Sequence, residues 1–410
     1  MFVEVWQFLD LIVNHRIHGL ILFFIIFVVA SSLLKRIGSS GYKPIKSKGN
    51  YHPTVSIAVP TYNQDAETFR KCLESINRQT YPHIVDKIVI LDKGSRYDKE
   101  LESIAKQMGF KLITNGKRLG KRKAVAKAVR MARGEVITLI DSDTILAPDC
   151  IENVVKAFED PNVAGVHVKI NPIKHPNGSQ IPYVISHVIE LSRDVTNRLL
   201  SKAGVLVVVD GRCMSWRRKF ILPYIDALEN EKFLGQPCII GDDRFLTRCV
   251  LKAGYKVVYQ PSAQVETLSP PTFKELLKQQ LRWSRSGYKF FLEDIYEGLI
   301  FKLPPIYFLH CFLFYAAPIL FSVVVLLDLF ILPHPASPLI YMPTAIAIWL
   351  ALPMSVLGSA TVSLIRQMLL FGKVVARKYI IHSGIFGLCM IGIMYYALLT
   401  IHKQGAWLTR

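Results

Sequence analysis

Acidic residues are scarce in this chain: 31 Asp and Glu stand against 50 Lys and Arg, for a formal net charge of +19. Charge of either sign is thin, at 20% of residues against 51% hydrophobic, which excludes an ordinary soluble globule as a description of the whole chain. The seven cysteines (Cys72, Cys150, Cys213, Cys238, Cys249, Cys311, Cys389) are odd in number and scattered, without a C-x-x-C pair. That excludes a disulfide framework and a zinc ribbon, and reads as reduced core thiols on the cytosolic side of a membrane. There is neither an internal repeat nor a low-complexity segment, and no small-residue cleavage site follows the N-terminal apolar run, so that run is not a signal peptide.

What the middle lacks in hydrophobicity the two ends supply. Phe2 to Val13 is apolar but broken by Glu4, Gln7 and Asp10, which suits an interfacial helix. His18 to Leu34 carries no charge and is followed by Lys35-Arg36, Lys43, Lys46 and Lys48, so it reads as a retained span with the next segment cytoplasmic. Near the other end, Pro304 to Leu332, Leu339 to Ile365 and Tyr379 to Ile401 are long enough to span. The expected organisation is a membrane segment and basic linker over 1–50, a globular domain over 51–270, amphipathic interfacial helices over 271–303 and a transmembrane region over 304–410. The result is a multi-pass protein of the plasma membrane. The positive balance calls for an anionic partner, either membrane lipid headgroups or a nucleotide diphosphate. Membrane segments make nucleic acid the poorest of the three, and none is expected.

Between the ends, short β-branched runs alternate with helical periods. Val55 to Pro60, Asp86 to Leu91, Phe110 to Thr114 and Glu135 to Ile140 read as strands. Ala66 to Arg78 (with Phe69, Leu73 and Ile76 on one face), Leu101 to Met108 and Arg122 to Arg133 read as helices. This alternation predicts a doubly wound sheet with parallel strands. Further on, Val163 to Ile170, Val205 to Val209 and Lys256 to Tyr259 are expected strands, and Val184 to Leu200 and Cys238 to Leu251 helices. After Pro270-Pro271, an amphipathic stretch over Thr272 to Ile300 should lie on the membrane surface.

In such sheets ligands bind beyond the carboxyl ends of the strands. Three strand ends carry polar residues there: Pro60-Thr61-Tyr62-Asn63, Asp92, and Asp141-Ser142-Asp143. An Asp-x-Asp at a strand end can hold Mg2+ or Mn2+ on a diphosphate, although so short a motif also arises by chance. Lys121-Arg122 follow Gly120 at a helix start, a ready anion site, where a solvated basic face is the alternative. Gly241-Asp242-Asp243-Arg244 places two adjacent carboxylates at another helix start. They are either a cap or a general base whose pKa is raised by its neighbour. Gln279-x-x-Arg282-Trp283 supplies a cation for a diphosphate and a ring that can stack on a sugar, or that anchors at the interface.

Assembled, these residues resemble the processive membrane glycosyltransferases, the group of hyaluronan, chitin and cellulose synthases with their nodulation-factor relatives. The likeness runs from about Val55 to Trp283, with a looser echo in the membrane segments and in Trp407-x-Thr409-Arg410. Within the group it looks closest to hyaluronan synthase, through Gly120-Lys121-Arg122, Asp141-Ser142-Asp143-Thr144, Phe233-Leu234-Gly235, Gly241-Asp242-Asp243-Arg244 and Gln279-Gln280-Leu281-Arg282-Trp283. The resemblance implies a GT-A fold, a doubly wound mixed α/β sheet, in a cytoplasmic domain. It also implies a UDP-sugar donor, Mg2+ or Mn2+, inversion at the anomeric carbon, and a growing polysaccharide or a lipid as acceptor. By the same likeness Tyr62 would stack on the base, with Pro60, Asp92, Lys121, Arg122 and Arg244 around the donor. Asp141 and Asp143 would manage diphosphate and metal, and Asp243, beside Asp242, would be the base. Gln279, Arg282 and Trp283 would frame the acceptor end, and the membrane segments would pass the polymer outward. A non-processive transfer to a polyprenyl phosphate or glycolipid is the alternative.

Two departures from the family pattern stand out: Asp210-Gly211-Arg212 replaces a Ser-Gly-Pro turn, and Lys93 replaces the second acid of an Asp-Asp-Gly-Ser turn. Three full spans after the globular domain would also put Arg410 outside, away from the active site. The expected resolution is a re-entrant Tyr379 to Ile401, which carries Gly384 and Gly387.

Overall fold

The computed structural model describes residues 26–47, 49, 51–330 and 344–405. The expected interfacial helix over Phe2 to Val13, the first part of the expected span from His18, the residues from Leu339 to Pro343 and the Trp407 to Arg410 tail lie outside the described residues. The described chain falls into two compact units: one draws on Met1–Ser40 and Leu309–Tyr396, the other on Gly41–Phe308 and Ala397–Arg410.

The second unit is built on a sheet. After helix α1 (residues 26–39), strand β1 (Val55–Thr61) leads into α2 (Ala66–Asn77), which starts where Asp65 accepts the Thr68 N–H and buries Phe69, Cys72, Leu73 and Ile76. Strand β2 (Ile84–Asp92), α3 (Asp98–Gln107), β3 (Lys111–Asn115), α4 (Lys121–Met131) and β4 (Val136–Ile140) follow. The Val, Ile and Leu runs of β1, β4 and the later part of β2 are buried on both faces because helices cover the sheet, whereas β3, at the edge, is half-exposed. These four strands pair in parallel in the order β3-β2-β1-β4.

Beyond β4 the sheet becomes mixed. The next elements are β5 (Thr144–Leu146), α5 (Cys150–Ala157), β6 (Val163–Ile173), α6 (Gln180–Ser201) and β7 (Cys213–Arg217). Then come α7 (Arg218–Ile221), α8 (Ile225–Asn230), a hairpin of β8 (Lys232–Phe233) with β9 (Gln236–Pro237), α9 (Asp242–Lys252) and β10 (Lys256–Leu268). The eight-stranded order is β3-β2-β1-β4-β7-β6-β10-β5, with β7 antiparallel to both β4 and β6 and β5 antiparallel to β10.

Two expected strands are corrected here. Val205 to Val209 is not a strand: only Val205 bridges, to Val257. Side-chain acceptors satisfy the amides beyond it, Thr247 Oγ1 for Val209 N (3.0 Å) and His167 Nδ1 for Asp210 N (3.3 Å), so no ladder is required. The strand follows the turn instead, as β7. Its polar members find buried partners, Ser215 with Thr138 (2.9 Å) and Arg217 with the Val163 carbonyl (3.2 Å). The late strand is longer than expected because β10 shifts register between Gln260 and Gln264 and runs on to Leu268.

Helix α10 (Phe273–Tyr296) begins at a Thr272 cap whose Oγ1 accepts the Glu275 N–H at 3.2 Å, directly after Pro270-Pro271. It stops two residues before Gly298, which sits at φ +68° ahead of α11 (Leu299–Lys302), so the expected run to Ile300 is broken. Helices α12 (Pro305–Cys311), α13 (Ala317–Phe330), α14 (Thr344–Phe371) and α15 (Ile380–Leu399) follow. Among the described residues, Pro305–Val323 and Arg377–Leu399 are long and apolar enough to cross a membrane.

Gly384 and Gly387 do not break α15, which is one continuous helix. They let it pack closely on α14: a Cβ on Gly384 would meet the Val356 carbonyl oxygen at 2.7 Å, and one on Gly387 the Ser359 hydroxyl at 2.6 Å. The chain then rejoins the sheet-containing unit. Thr400 Oγ1 accepts from Arg285 Nε (2.9 Å), and the Gln404 carbonyl accepts from Ile239 N (3.1 Å).

Candidate active site

The carboxyl end of β4 meets the starts of α4 and α9 around one lysine. Lys121, in the first turn of α4, directs Nζ at Asp141 Oδ1 (2.6 Å) and stands 3.8 Å from Asp242 Oδ2. Burial alone would favour the neutral amine, but the charges of Asp141, Asp242 and Asp243 outweigh it and raise the lysine pKa. A cation here runs against the α4 dipole, so it is held by these acids and not by the helix. Asp143 lies half-buried two residues beyond Asp141.

Asp242 and Asp243 open α9 behind Gly241, which adopts the left-handed conformation at φ +78°. Asp242 is buried, and among the described residues its Oδ2 has no hydrogen-bond partner. Asp243 accepts from the Arg244 N–H at Oδ1 (2.7 Å) and from the Gly211 N–H at Oδ2 (3.3 Å). Burial, followed by the neighbouring charges of Asp242 and Asp210, pushes its pKa up to about 6. A carboxylate so poised can take a proton near neutral pH.

Gly211 fits this gap because it has no side chain: a Cβ would lie 3.0 Å from Lys121 Nζ and 3.5 Å from Asp243 Oδ2. Gly211→Ala should lower the transfer rate by about tenfold or more by displacing either group. Its melting temperature should stay within a few degrees of the parent, since the added methyl meets flexible side-chain ends. Initial rates with thermal unfolding check this.

Several expected donor residues are turned elsewhere. Arg122 is buried and donates to the Ile240 (2.7 Å) and Leu228 (3.2 Å) carbonyls while pairing with Glu231 at 2.5 Å, so it ties α4 to the segment before α9. Arg244 is buried and points at Asp294 of α10, 3.6 Å away. In both cases a guanidinium on a helix bearing site residues faces a partner from another segment, which a motif cannot reveal. Asp92 is buried and accepts from Asn115 Nδ2 (2.8 Å), Leu119 N (3.0 Å) and Gly120 N (2.7 Å). It thus shapes the loop before α4, and the Gly120 amide, at the helix start expected to meet an anion, already donates to it. Lys93 pairs with Glu102 of α3 at 3.0 Å. Pro60 and Tyr62 do sit at the end of β1, and the Arg118 guanidinium lies over the Tyr62 ring at 4.2 Å.

Gln279, Arg282 and Trp283 are half-buried on α10. Trp283 lies against two guanidiniums, those of Arg193 and Arg212, each 5.6 Å from the ring centre. These two arginines, with Glu190 and Asp210, form a charged cluster that reading the sequence missed. The signal was in plain view as Asp210-Gly211-Arg212 and the Glu190-x-x-Arg193 spacing on α6, but nothing in the sequence shows that the two segments meet.

The resemblance implies a divalent cation, and the donor set suits a hard one. Asp141 and Asp143 offer oxygen only, two carboxylates leave most coordination positions to phosphate oxygens and water, and Lys121 engages a single oxygen of Asp141. Among the described residues no three His, Cys, Asp or Glu side chains converge to cage a metal by themselves, so a cation here would be shared with a ligand.

A mixed α/β sheet with acids and a lysine gathered at its strand ends defines a GT-A-like glycosyltransferase. The profile of the Glycosyltransferase like family 2 matches residues 52–286, and the chain belongs to that family. An N-acetylglucosaminyltransferase of Azorhizobium caulinodans is 29% identical over 365 residues, covering 87% of this chain and 87% of that protein. One from Rhizobium meliloti is 30% identical over 241 residues, and there the match spans 58% of this chain and 56% of the relative. A hyaluronan synthase of Streptococcus pyogenes serotype M1 is 30% identical over 278 residues, 64% of each chain. A mannosyltransferase of Pyrobaculum calidifontis, solved in complex with GDP-Man and Mn2+, has the same fold, with a TM-score of 0.62 at 17% identity over 98% of this chain and 100% of that one.

Proposed function

We propose that this chain is a membrane-anchored, inverting glycosyltransferase that extends a β-linked glycan from UDP-sugar donors, as a hyaluronan-synthase-like polysaccharide synthase with N-acetylglucosamine among its sugars. The observation that carries the reading is the convergence of Lys121, Asp141, Asp242, Asp243 and Gly211 from separate segments into one cluster, with Asp243 poised to accept a proton. The likeness to N-acetylglucosaminyltransferases and a hyaluronan synthase supports the choice of sugar.

In this reading Asp243 takes the acceptor hydroxyl proton as that oxygen bonds to the anomeric carbon. The bond from that carbon to the diphosphate oxygen breaks on the opposite face, and the nucleotide diphosphate leaves with the electron pair. Lys121 faces the growing negative charge, and Trp283 with Gln279 and Arg282 holds the acceptor end. A cation bound by Asp141 and Asp143 would neutralise charge developing on the departing diphosphate. Tyr62 and Pro60 border the donor base, with Arg118 moving off the ring as the base stacks.

Pro305–Val323 and Arg377–Leu399 anchor the chain in the plasma membrane, and the basic residues Lys35, Arg36, Lys43 and Lys46 keep the catalytic unit cytoplasmic. The polymer leaves through the membrane region.

The deciding experiment is UDP release by the purified full chain in nanodiscs with Mg2+ or Mn2+, against UDP-sugars singly and in pairs, with products separated by size. A high-mass product requiring UDP-GlcNAc with UDP-GlcA is the expected result for a hyaluronan-type synthase. A high-mass product from UDP-GlcNAc alone keeps the polymerase and changes its product to a homopolymer. Turnover only with an added lipid acceptor, without polymer, would overturn the processive reading.

A further inference from the structure

Glu190 and Arg193 stand one turn apart on α6 and reach the turn that precedes β7. Arg193 donates to Asp210 Oδ2 (2.7 Å) and to Glu190 Oε1 (3.1 Å). Arg212 closes the cluster, to Asp210 Oδ1 through Nε (2.7 Å) and to Asp210 Oδ2 and Glu190 Oε1 through Nη2 (both 2.8 Å). Two cations and two anions, all largely buried, cancel one another. A cluster so closed has little charge left to attract a ligand; what it supplies is geometry.

The turn that it grips touches both halves of the site. Gly211 N–H donates to Asp243 Oδ2 at 3.3 Å, and the Arg212 carbonyl accepts the Asp141 N–H at 3.1 Å. The Asp210 N–H rests on His167 Nδ1 at 3.3 Å, and burial holds His167 neutral by lowering its pKa to about 3, so that acceptor persists over the working pH range. On the side-chain face, both guanidiniums lie against Trp283. Of the two, Arg193 alone comes from another element, so it cross-links α6 to the turn.

We infer that Arg193 is a positioning residue for glycosyl transfer: it pins the Asp210–Arg212 turn from α6 and thereby fixes the Trp283 ring and the Asp243 carboxylate in one mutual arrangement. This rests on the reading of Asp243 as base and Trp283 as acceptor platform. Transfer depends on such registration more steeply than donor binding does, because the donor is held by other residues.

The test compares Arg193→Gln, Arg193→Lys and Asp243→Asn in the full chain in nanodiscs. UDP release is followed over a range of UDP-GlcNAc and N-acetylglucosamine-oligomer concentrations, and UDP affinity is measured by calorimetry with Mn2+. For Arg193→Gln we expect kcat to fall by about 30- to 100-fold and the acceptor KM to rise, while UDP affinity stays within about threefold. Arg193→Lys should recover part of the rate, since an ammonium can still pair with Asp210 but cannot serve both acids as a fork.

Arg193→Gln with wild-type kcat and acceptor KM would overturn the inference. So would a loss of UDP affinity as large as the loss of rate, with no recovery in Arg193→Lys, since that pattern marks general unfolding. An active Asp243→Asn would overturn the underlying reading of the base; a dead Asp243→Asn beside a normal Arg193→Gln would overturn only the role of Arg193.

Discussion

Asp243→Asn is expected to reduce transfer by about 10^2- to 10^4-fold, the usual contribution of a positioned general base. UDP binding should remain, because the carboxylate is proposed to act on the acceptor. Both Asp243 oxygens accept backbone N–H groups, from Arg244 and Gly211, and an amide can satisfy only one of them. The variant loses one backbone acceptor but also sheds a buried charge beside Asp242 and Asp210, so its melting point should stay within a few degrees of the parent. The pH profile supplies an independent check. A raised pKa means that the group is protonated, and useless as a base, below about pH 6, so kcat/KM should climb through that value and level off above it. Asp210→Asn removes a neighbouring negative charge that raises this pKa, so its acidic limb should move to lower pH. A limb that stays fixed in Asp210→Asn, or an unchanged plateau in Asp243→Asn, would remove Asp243 from the chemistry.

Lys121→Met should have the second-largest effect. It strips the shared cation from Asp141, Asp242 and Asp243 in a site where the acids are partly or wholly out of water. Removing one partner of a buried pair costs about 3–5 kcal/mol at the extreme, because the remaining charge stays uncompensated. The acids will relieve part of this by taking up a proton. Lys121 lowers the Asp243 pKa, so its loss must raise it, and the acidic limb should shift to higher pH, opposite in sign to Asp210→Asn. The rate above the shifted limb should still be about 10^2-fold below the parent, since the positive charge proposed to face the diphosphate is gone. Rates measured between pH 5 and 9 on both variants test the two signs together. Wild-type rates at high pH in Lys121→Met would confine the lysine to an electrostatic role on Asp243.

Both effects come from the same arrangement of side chains. Lys121 reaches its acids because Asp92 fixes the preceding loop through Leu119 and Gly120, and because Asp141 directly follows the last residue of β4, Ile140. Asp92, expected at the nucleotide, also shapes the loop that carries Lys121.

The parallel half of the sheet was legible in the amino-acid pattern. Runs such as Val55–Thr61 and Val136–Ile140 can be satisfied only by burial on both faces, and the helical period of Ala66–Asn77 gave Phe69, Leu73 and Ile76 of its buried side but not Cys72 or Ser75. The same pattern also determined where the acids fall, since polar residues at strand ends need no partner to be recognised as out of place in an apolar run.

Tertiary structure decided which way the charged side chains turn. Arg122 and Arg244 lie beside Lys121 and Asp243 in sequence, yet they face Glu231 and Asp294, because successive residues on a helix point about 100° apart and the partners come from distant segments. It decided, too, that Val205–Val209 is held by Thr247 and His167 in place of a ladder, and that Gly384 and Gly387 are packing contacts with α14. The Glu190–Arg193–Asp210–Arg212 cluster belongs to the same class: charge energies depend on separation and burial, and both exist only once the chain has folded.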